Sequence, residues 1–402
     1  MTGANNAGPL EGVKILEFGQ AIAGPFATAV LAWFGAEVIK VEPPGTGDPL
    51  RSWRVMHKGT SLWWYSMARN KKCITLNLRV AEGQKIAREL AKRVDVVLEN
   101  FRPGTLEQWG LGYAELKKQN PRLIMARISG YGQTGPYAQK PGFALVAEAF
   151  GGLRYVTGEP ARPPVRPNLS LGDSVAGLHA ALGIVMALYQ RDARGGAGQE
   201  IDAALYECVL NLMEGTISEY DAAGVVRERV GMRLTGIVPS GTYPCQDGTL
   251  IVIGGNSDSI FKRFMAAIGR EDLANDPRLA KNEGRSKHVD EIDEAIAAWT
   301  RKLPANDALA RLEAAEVPAG PIYSAADMVK DAQYRARGAF EEVELEAGAR
   351  VKLPTLAPKM SGTPGGLRWI GPALGAHNAE VYCNWLGYSA DEMKRLAAEG
   401  VI

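Results

Sequence analysis

Apolar and polar positions along this chain alternate between two rhythms. Short unbroken apolar runs predict buried strands, and three- and four-residue spacings predict helices. Val13 to Phe18 and Glu37 to Glu42 read as strands, the second ended by Pro43-Pro44-Gly45. Between them a helix opens at Gly24-Pro25, where proline suits the first helical position, and runs through Phe34. A loop-rich insert over 45–69 carries Trp53, Trp63, Trp64 and Tyr65, a cluster that reads as core, interface or ligand wall. A helix over Glu82 to Arg93, a strand over Val94 to Glu99, a helix capped by Thr105 and a fourth strand over Leu123 to Ile128 follow. Strands alternating with helices predict an α/β fold with a parallel sheet covered on both faces.

The stretch Asn168 to Met186 reads as a turn feeding a helix. Val175, Leu178, Leu182 and Val185 have the spacing of a buried stripe, and Gly172-Asp173-Ser174 fall where a cap belongs. Asp173 has two readings. As an N-cap it would add about 1 kcal/mol to the helix. As a carboxylate kept ionised by the positive end of the helix dipole, it would be aimed as a nucleophile. Spacing alone does not choose between them. Further on, the pattern predicts a strand over Glu200 to Leu205, a helix over Tyr206 to Ala223, a strand over Thr249 to Gly254, and helices over Ile260 to Ile268, Val289 to Thr300 and Asn306 to Ala315. A strand pair, Glu341 to Glu346 and Arg350 to Leu353, and a helix over Ala379 to Leu386 close the chain.

Composition removes several function classes. With 402 residues the chain exceeds one typical core, so two domains are expected. A formal net charge of +1 with scattered Lys and Arg speaks against nucleic acid. No uninterrupted apolar run approaches a membrane span of about 18 residues. Met1 to Asn6 lacks a charged and then apolar leader, so a cytoplasmic protein is expected. Cys73, Cys208, Cys245 and Cys383 are far apart and only four histidines accompany them, which disfavours disulfides and structural zinc. Gly130-Tyr131-Gly132-Gln133-Thr134-Gly135 matches G-x-G-x-x-G after a strand, but Pro136 follows and no helix opens through it. A dinucleotide site is therefore not expected there, and a glycine loop that lets a ligand approach the backbone is.

Several motifs, in order along nearly the whole chain, resemble the class III (CaiB/BaiF) coenzyme A transferases. They are Gly24-Pro25, Leu31 to Glu42, Gly47-Asp48, Asn70-Lys71-Lys72, Glu99 to Gly104, Asn120 to Ile124, Gly172-Asp173 and Leu386 to Ser389. The resemblance is closest to the succinyl-CoA:dicarboxylate branch. It implies a Rossmann-like large domain built from both chain ends and a smaller α/β domain, in an interlocked homodimer. The boundaries then expected are 1–205 for the first part of the large domain, 206–235 for a linker helix, 236–325 for the small domain and 326–402 for the return. It implies no permanently bound cofactor and no metal, with coenzyme A thioesters and carboxylic acids as substrates.

On the same resemblance Asp173 is the nucleophile that attacks the thioester, forming an aspartyl-acyl anhydride and then an enzyme-bound CoA thioester. Ile22, Ala23, Arg69, Asn70, Lys71, Lys72, Asn100, Phe101, Gly142 and Phe143 fall where the family lines its CoA groove. Lys71 and Lys72 suit phosphates as cations. Gly130, Gly132 and Gly236 are candidates for the oxyanion site, and Arg154, Arg162 and Arg166 for a substrate carboxylate. Three departures stand out. Ala144 occupies a position that is often acidic, so that role is absent or moved, with Glu148 the candidate. Gln108 replaces a frequent Arg, and the polyglycine run of oxalate enzymes is missing at Gly236, which argues against formyl-CoA:oxalate exchange. The related α-methylacyl-CoA racemases need a His-Asp pair where Phe143-Ala144 stand. A catalytically silent acyl-CoA-binding paralogue is the remaining alternative.

Overall fold

The computed structural model describes residues 8–345 and 348–402. Met1 to Asn6, read above for targeting, and Glu346, expected to end a strand, lie outside the described residues.

The chain divides into two compact units, residues 1–153, 167–214 and 333–402 in the first and residues 154–166 and 215–332 in the second. In the first, β1 (Lys14–Glu17), β2 (Glu37–Glu42), β3 (Lys71–Thr75), β4 (Val96–Glu99), β5 (Ile124–Ser129) and β6 (Glu200–Ala204) form a six-stranded parallel sheet in the order β3-β2-β1-β4-β5-β6. This is the doubly wound order, and it reverses between β1 and β4, where such sheets place a ligand crevice beyond the strand ends. The main helices are α1 (Ala23–Trp33), α2 (Ala81–Ala91), α3 (Ala144–Phe150), α4 (Leu171–Ala193) and α5 (Leu205–Leu210). One face of the sheet packs on α1 and α4 through Ile15, Val38, Val96, Ile124, Leu31 and Ile184. The other packs on α2 and the C-terminal helices through Leu16, Ile39, Val97, Ile86 and Leu396. The inner strands thus bury apolar residues on both sides, as a parallel sheet requires.

In the second unit β7 (Ser240–Pro244), β8 (Leu250–Gly254) and β9 (Ala319–Pro321) make an antiparallel sheet ordered β9-β8-β7. Its core joins Ile251 and Ile253 to α6 (Asp258–Ala267), α7 (Val289–Thr300) and α8 (Ala305–Ala314).

The chain then returns to the first unit with a hairpin of β10 (Phe340–Glu344) and β11 (Arg350–Pro354), a π-helical turn over Glu380–Trp385 and α9 (Ala390–Ala398). This segment covers the β3 edge. Cys73 N–H donates to His377 Nδ1, Thr75 N–H to the Asn378 side chain, and Tyr382 Oη donates to Thr75 O. An edge strand covered in this way offers no template for another chain.

Four sequence expectations are corrected. The strand β3 lies where Lys71 and Lys72 were expected to meet phosphates. The helix expected over Tyr206 to Ala223 is two helices, α5 and Thr216–Ala223, on either side of the unit boundary. Arg154 to Arg166 goes with the second unit. On α4, Leu178, Leu182 and Val185 are exposed, and burial is carried instead by Ala176, Ala180, Ala181, Ile184 and Ala187. Small residues let α4 approach α1 closely: a Cβ added at Gly177 would stand 2.7 Å from Ala23 O. By length and composition α4 could cross a membrane, but half of it is buried in this core.

Candidate active site

The first turn of α4 carries Asp173. Ser170 is the N-cap residue and makes no side-chain cap bond, so Asp173 is the third helical residue and not the cap. The second N–H of that turn is satisfied from outside, since Gly172 N–H donates to Glu148 Oε1 at 3.2 Å. Glu148 is fully buried on α3. Gly172 packs closely here, since an added Cβ would press on the Ala144 Cβ and Glu148 Cγ at 3.3 Å. The Gly-Asp pair thus has a physical reason. Glycine seats the turn against α3, and the next residue presents a half-buried carboxylate near the positive end of a 23-residue helix.

Asp173 and Gly177 are four residues apart and share a face of α4. Because Gly177 abuts Ala23 O, that face looks toward the start of α1. Ala23 thus packs one turn beyond Asp173, and both Ile22 and Ala23, expected to line a CoA groove, are buried in the core. Asn100 joins them at the sheet's switch point by bracing the β1–α1 loop, accepting from Gln20 N–H at 2.7 Å and donating to Gln20 O at 2.8 Å. Phe101 follows, edge-on to Trp109 at 5.5 Å. On the other side Gly142 and Phe143 lead into α3, and Phe143 is 81% exposed. Gly130 lies against Gly142: a Cβ on Gly130 would sit 2.9 Å from the Gly142 Cα. The glycine loop thus admits another stretch of backbone. Gly132, at φ 86°, is in the same loop, which Asp202 fastens by accepting Gln133 N–H at 2.8 Å.

The Arg69 to Lys72 group is placed differently. Arg69 is buried and donates to Ser66 O and Pro354 O, and burial pulls its guanidinium down to about 10 against the opposing effect of Glu341. Asn70 is buried and binds the returning chain at Gly366, Arg368 and Trp369. Lys71 is fully buried, donating to Glu17 at 2.9 Å and Pro25 O at 2.7 Å, so its ammonium is not presented to a phosphate. Lys72, on the opposite face of β3, is partly exposed and bridges Glu37 and Glu380. The expected cationic pair is therefore one core lysine and one surface ion pair.

Arg154, Arg162, Arg166 and Gly236 belong to the second unit. Arg162 and Arg166 are exposed and Arg154 is half-buried. Gly236 takes φ 73°, and its carbonyl accepts from Asn282 and Ser286 while buried Arg285 donates to Val238 O. Among the described residues no cluster of His, Cys, Asp and Glu suits a metal.

Sequence reasoning missed a buried charge cluster beneath the β1–α1 loop. Glu17 accepts from Lys40, Lys71 and Thr28, and Lys40 also pairs with Asp48 at 2.8 Å. Its signal was present: Glu17 and Lys40 are charged positions inside runs otherwise read as buried strands. Burial opposes ionisation of both, yet Lys40 and Lys71 hold Glu17 below the usual carboxylate range, and Asp48, ahead of Glu17, holds Lys40 above the usual lysine range.

A doubly wound α/β unit with a half-buried carboxylate in the first turn of a long helix has a group of the kind that acyl transfer through a carboxylate uses. The chain belongs to the CoA-transferases of family III, whose family model matches residues 10–378. It is 50% identical to succinyl-CoA–D-citramalate CoA-transferase of Chloroflexus aurantiacus over 98% of each chain. It is 39% identical to the beta subunit of succinyl-CoA–L-malate CoA-transferase from the same organism, over the full length of both. The crystal structure of a CAIB/BAIF family protein from Brucella suis superposes with a TM-score of 0.82 at 33% identity, covering 94% of this chain and 99% of that one. Enzymes of this family take CoA thioesters as substrates.

Proposed function

We propose that this enzyme moves CoA from succinyl-CoA to a dicarboxylate through Asp173, with citramalate first among the acceptors and itaconate, malate, mesaconate and glutarate as the others. The acceptor assignment is supported by the 50% identity to the D-citramalate enzyme over 98% of both chains. The chemistry is carried by the placement of Asp173, one residue after the Gly172 that Glu148 pins and one turn before the Gly177 that touches α1.

The Asp173 carboxylate attacks the succinyl thioester carbonyl, the C–S bond breaks, and CoA thiolate leaves an aspartyl-succinyl anhydride. Thiolate then attacks the aspartyl carbonyl and succinate departs, leaving a CoA thioester on Asp173. The acceptor carboxylate displaces thiolate to form a second anhydride, and thiolate attacks its acceptor carbonyl. The new acyl-CoA leaves with Asp173 again a carboxylate. No proton is exchanged on balance, so a nucleophile ionised at neutral pH is an asset. Backbone N–H groups at Gly130 and Gly132 are the proposed stabilisers of the developing oxyanions. Gly236 is a further candidate by resemblance, as are Arg154, Arg162 and Arg166 for the acceptor's second carboxylate. Phe143 and Ala144 carry no group that exchanges protons, which disfavours the racemase reading.

The test is incubation with succinyl-CoA and citramalate, with thioesters read by mass spectrometry. Citramalyl-CoA is expected. Asp173→Ala is expected to lower turnover by at least about 10³-fold while CoA still binds. A parent that binds CoA and yields no new thioester with any of these acids would overturn the reading.

We also propose a homodimer in the cytoplasm. Leu178, Leu182, Met186 and Tyr189 are each at least half exposed along one side of α4, a continuous apolar strip of the kind that marks an association surface. Light scattering on the single expressed chain is expected to give twice the chain mass, and a monomer would refute the proposal.

A further inference from the structure

The loop joining β1 to α1 has its backbone polar groups taken up by side chains from three other places in the unit. Gly19 O accepts from Lys40 Nζ at 2.8 Å. Gln20 N–H and C=O are both bound by Asn100. Ala21 N–H donates to the Asp48 carboxylate, 3.2 Å from each oxygen. Ala21 has φ 62°, in the left-handed region that a residue with a Cβ seldom enters. Such a conformation persists where its surroundings over-determine it, and functional sites are where it is usually kept.

Asp48 is held rigidly enough to do this. It also accepts Leu50 N–H at 2.8 Å, its own N–H donates to Glu42 at 2.9 Å, and Lys40 pairs with it at 2.8 Å. Through Lys40 it joins Glu17, and through Glu17 it joins Lys71, which reaches Pro25 O in the first turn of α1. Glu17, Lys40, Asp48 and Lys71 are all buried. Buried ion networks are weak sources of stability, because desolvation consumes most of the attraction. What this one fixes is the backbone from Gly19 to Pro25, at the point where the strand order reverses.

We propose that Asp48 is a positioning residue of the transfer site, holding Ala21 in its left-handed conformation so that the loop before α1, partly exposed at Gln20 and Ala21 while Ile22 and Ala23 are buried, meets the acyl-CoA in a fixed geometry. Asp48 acts through Ala21 and does not touch substrate. The identity of the ligand rests on the CoA-transferase reading above.

Asp48→Asn keeps the side chain's shape and one acceptor oxygen but removes the charge that pairs with Lys40. KM for succinyl-CoA is expected to rise about tenfold, as displacement of a positioning segment does, with the acceptor KM unchanged. Adding Ala21→Gly to that variant should restore the KM, because glycine enters positive φ without steric cost. A general weakening of the fold would not be cured by a substitution that adds chain freedom. Should Asp48→Asn fail to fold, Ala21→Val leaves the ion network intact and places a β-branched residue at the same φ, so it should raise the same KM. Titration of free CoA separates the two claims. A parent that binds no CoA would sink the transferase reading and this inference together. A parent that binds CoA, beside folded Asp48→Asn or Ala21→Val proteins with unaltered KM, would sink the inference alone, as would failure of the glycine to rescue.

Discussion

Two helices begin side by side near the switch point, and neither is capped by its own N-cap residue. α1 starts at Ile22, which has no capping side chain, and carries no acid in its first turn. α4 starts at Ser170, whose hydroxyl makes no cap bond, and carries Asp173. Around α1 the polar effort goes into the loop before the helix, where Lys40, Asn100 and Asp48 hold three successive residues. Around α4 one buried carboxylate, Glu148, takes a donor inside the helix. The difference separates two tasks. One start is buried, held by its surroundings and without an acid of its own. The other supplies its own charge, suited to attack. Net charge and motif counts do not show this division, because it depends on which way each side chain turns.

The largest effect expected on the α1 side comes from Lys71. Lys71→Met leaves Glu17 buried with one fewer cation and removes the tie to Pro25 O. It should cost about 3–5 kcal/mol in denaturant unfolding. The same change at Lys72, a partly exposed ion pair on the other face of β3, should cost about 1 kcal/mol or less. Equal costs at the two positions would mean that the buried cluster does not brace α1, and the contrast between the helices would fail.

On the α4 side the sharper test is Glu148. Glu148→Ala removes the acceptor for Gly172 N–H and opens space beneath the turn that carries Asp173. A loss of about 10²-fold in kcat is expected from misplacing the nucleophile. Glu148→Gln, which still offers an oxygen to that N–H, should retain most of the activity. If Gln were as damaging as Ala, the residue would act through its charge, and α4 would depend on electrostatics as α1 does.

The sequence displayed these regions unevenly. Strands β1, β2, β4 and β5 were legible because their apolar runs are short and end at glycine, proline or a polar cluster. β3 was not, because Lys71-Lys72-Cys73-Ile74-Thr75 opens with two charges, and only Glu17, 54 residues away, makes the first of them tolerable in a core. The same blindness sent Lys71 to a phosphate. On α4 the large apolar residues drew attention to the wrong face, since close packing on α1 is done by alanine and glycine. Asp173 could be singled out from its place at a helix start, and Glu148 as a nearby acid, but the bond from Gly172 to Glu148 spans 24 residues and has no local sign. Asp48 was visible only as half of a Gly-Asp motif, since its task depends on a backbone angle at Ala21 that no residue type announces.

The last effect concerns pH and sits on the α1 side, at the residue before Asn100. Glu99 is buried at the end of β4, where one carboxylate oxygen takes Arg127 Nε at 2.7 Å and the other Phe101 N–H at 2.6 Å. Burial raises its pKa from 4.5 to about 7, more than Arg127 and the Phe101 N–H lower it. A raised acid pKa means that the folded protein binds the proton more tightly than the unfolded chain does. The stabilising contribution is therefore complete below about pH 4.5 and is lost as pH rises through about 7. At its steepest the loss is on the order of 1 kcal/mol per pH unit. Glu99→Gln, neutral at every pH, should flatten the stability curve across that window and leave its shape elsewhere unchanged. Since Asn100 grips Gln20 from the next position, KM for succinyl-CoA in the parent should drift upward over the same range and stay level in the variant. Parallel stability curves for the two proteins would show that Glu99 remains ionised throughout, paired with Arg127, and that the brace at α1 is indifferent to pH.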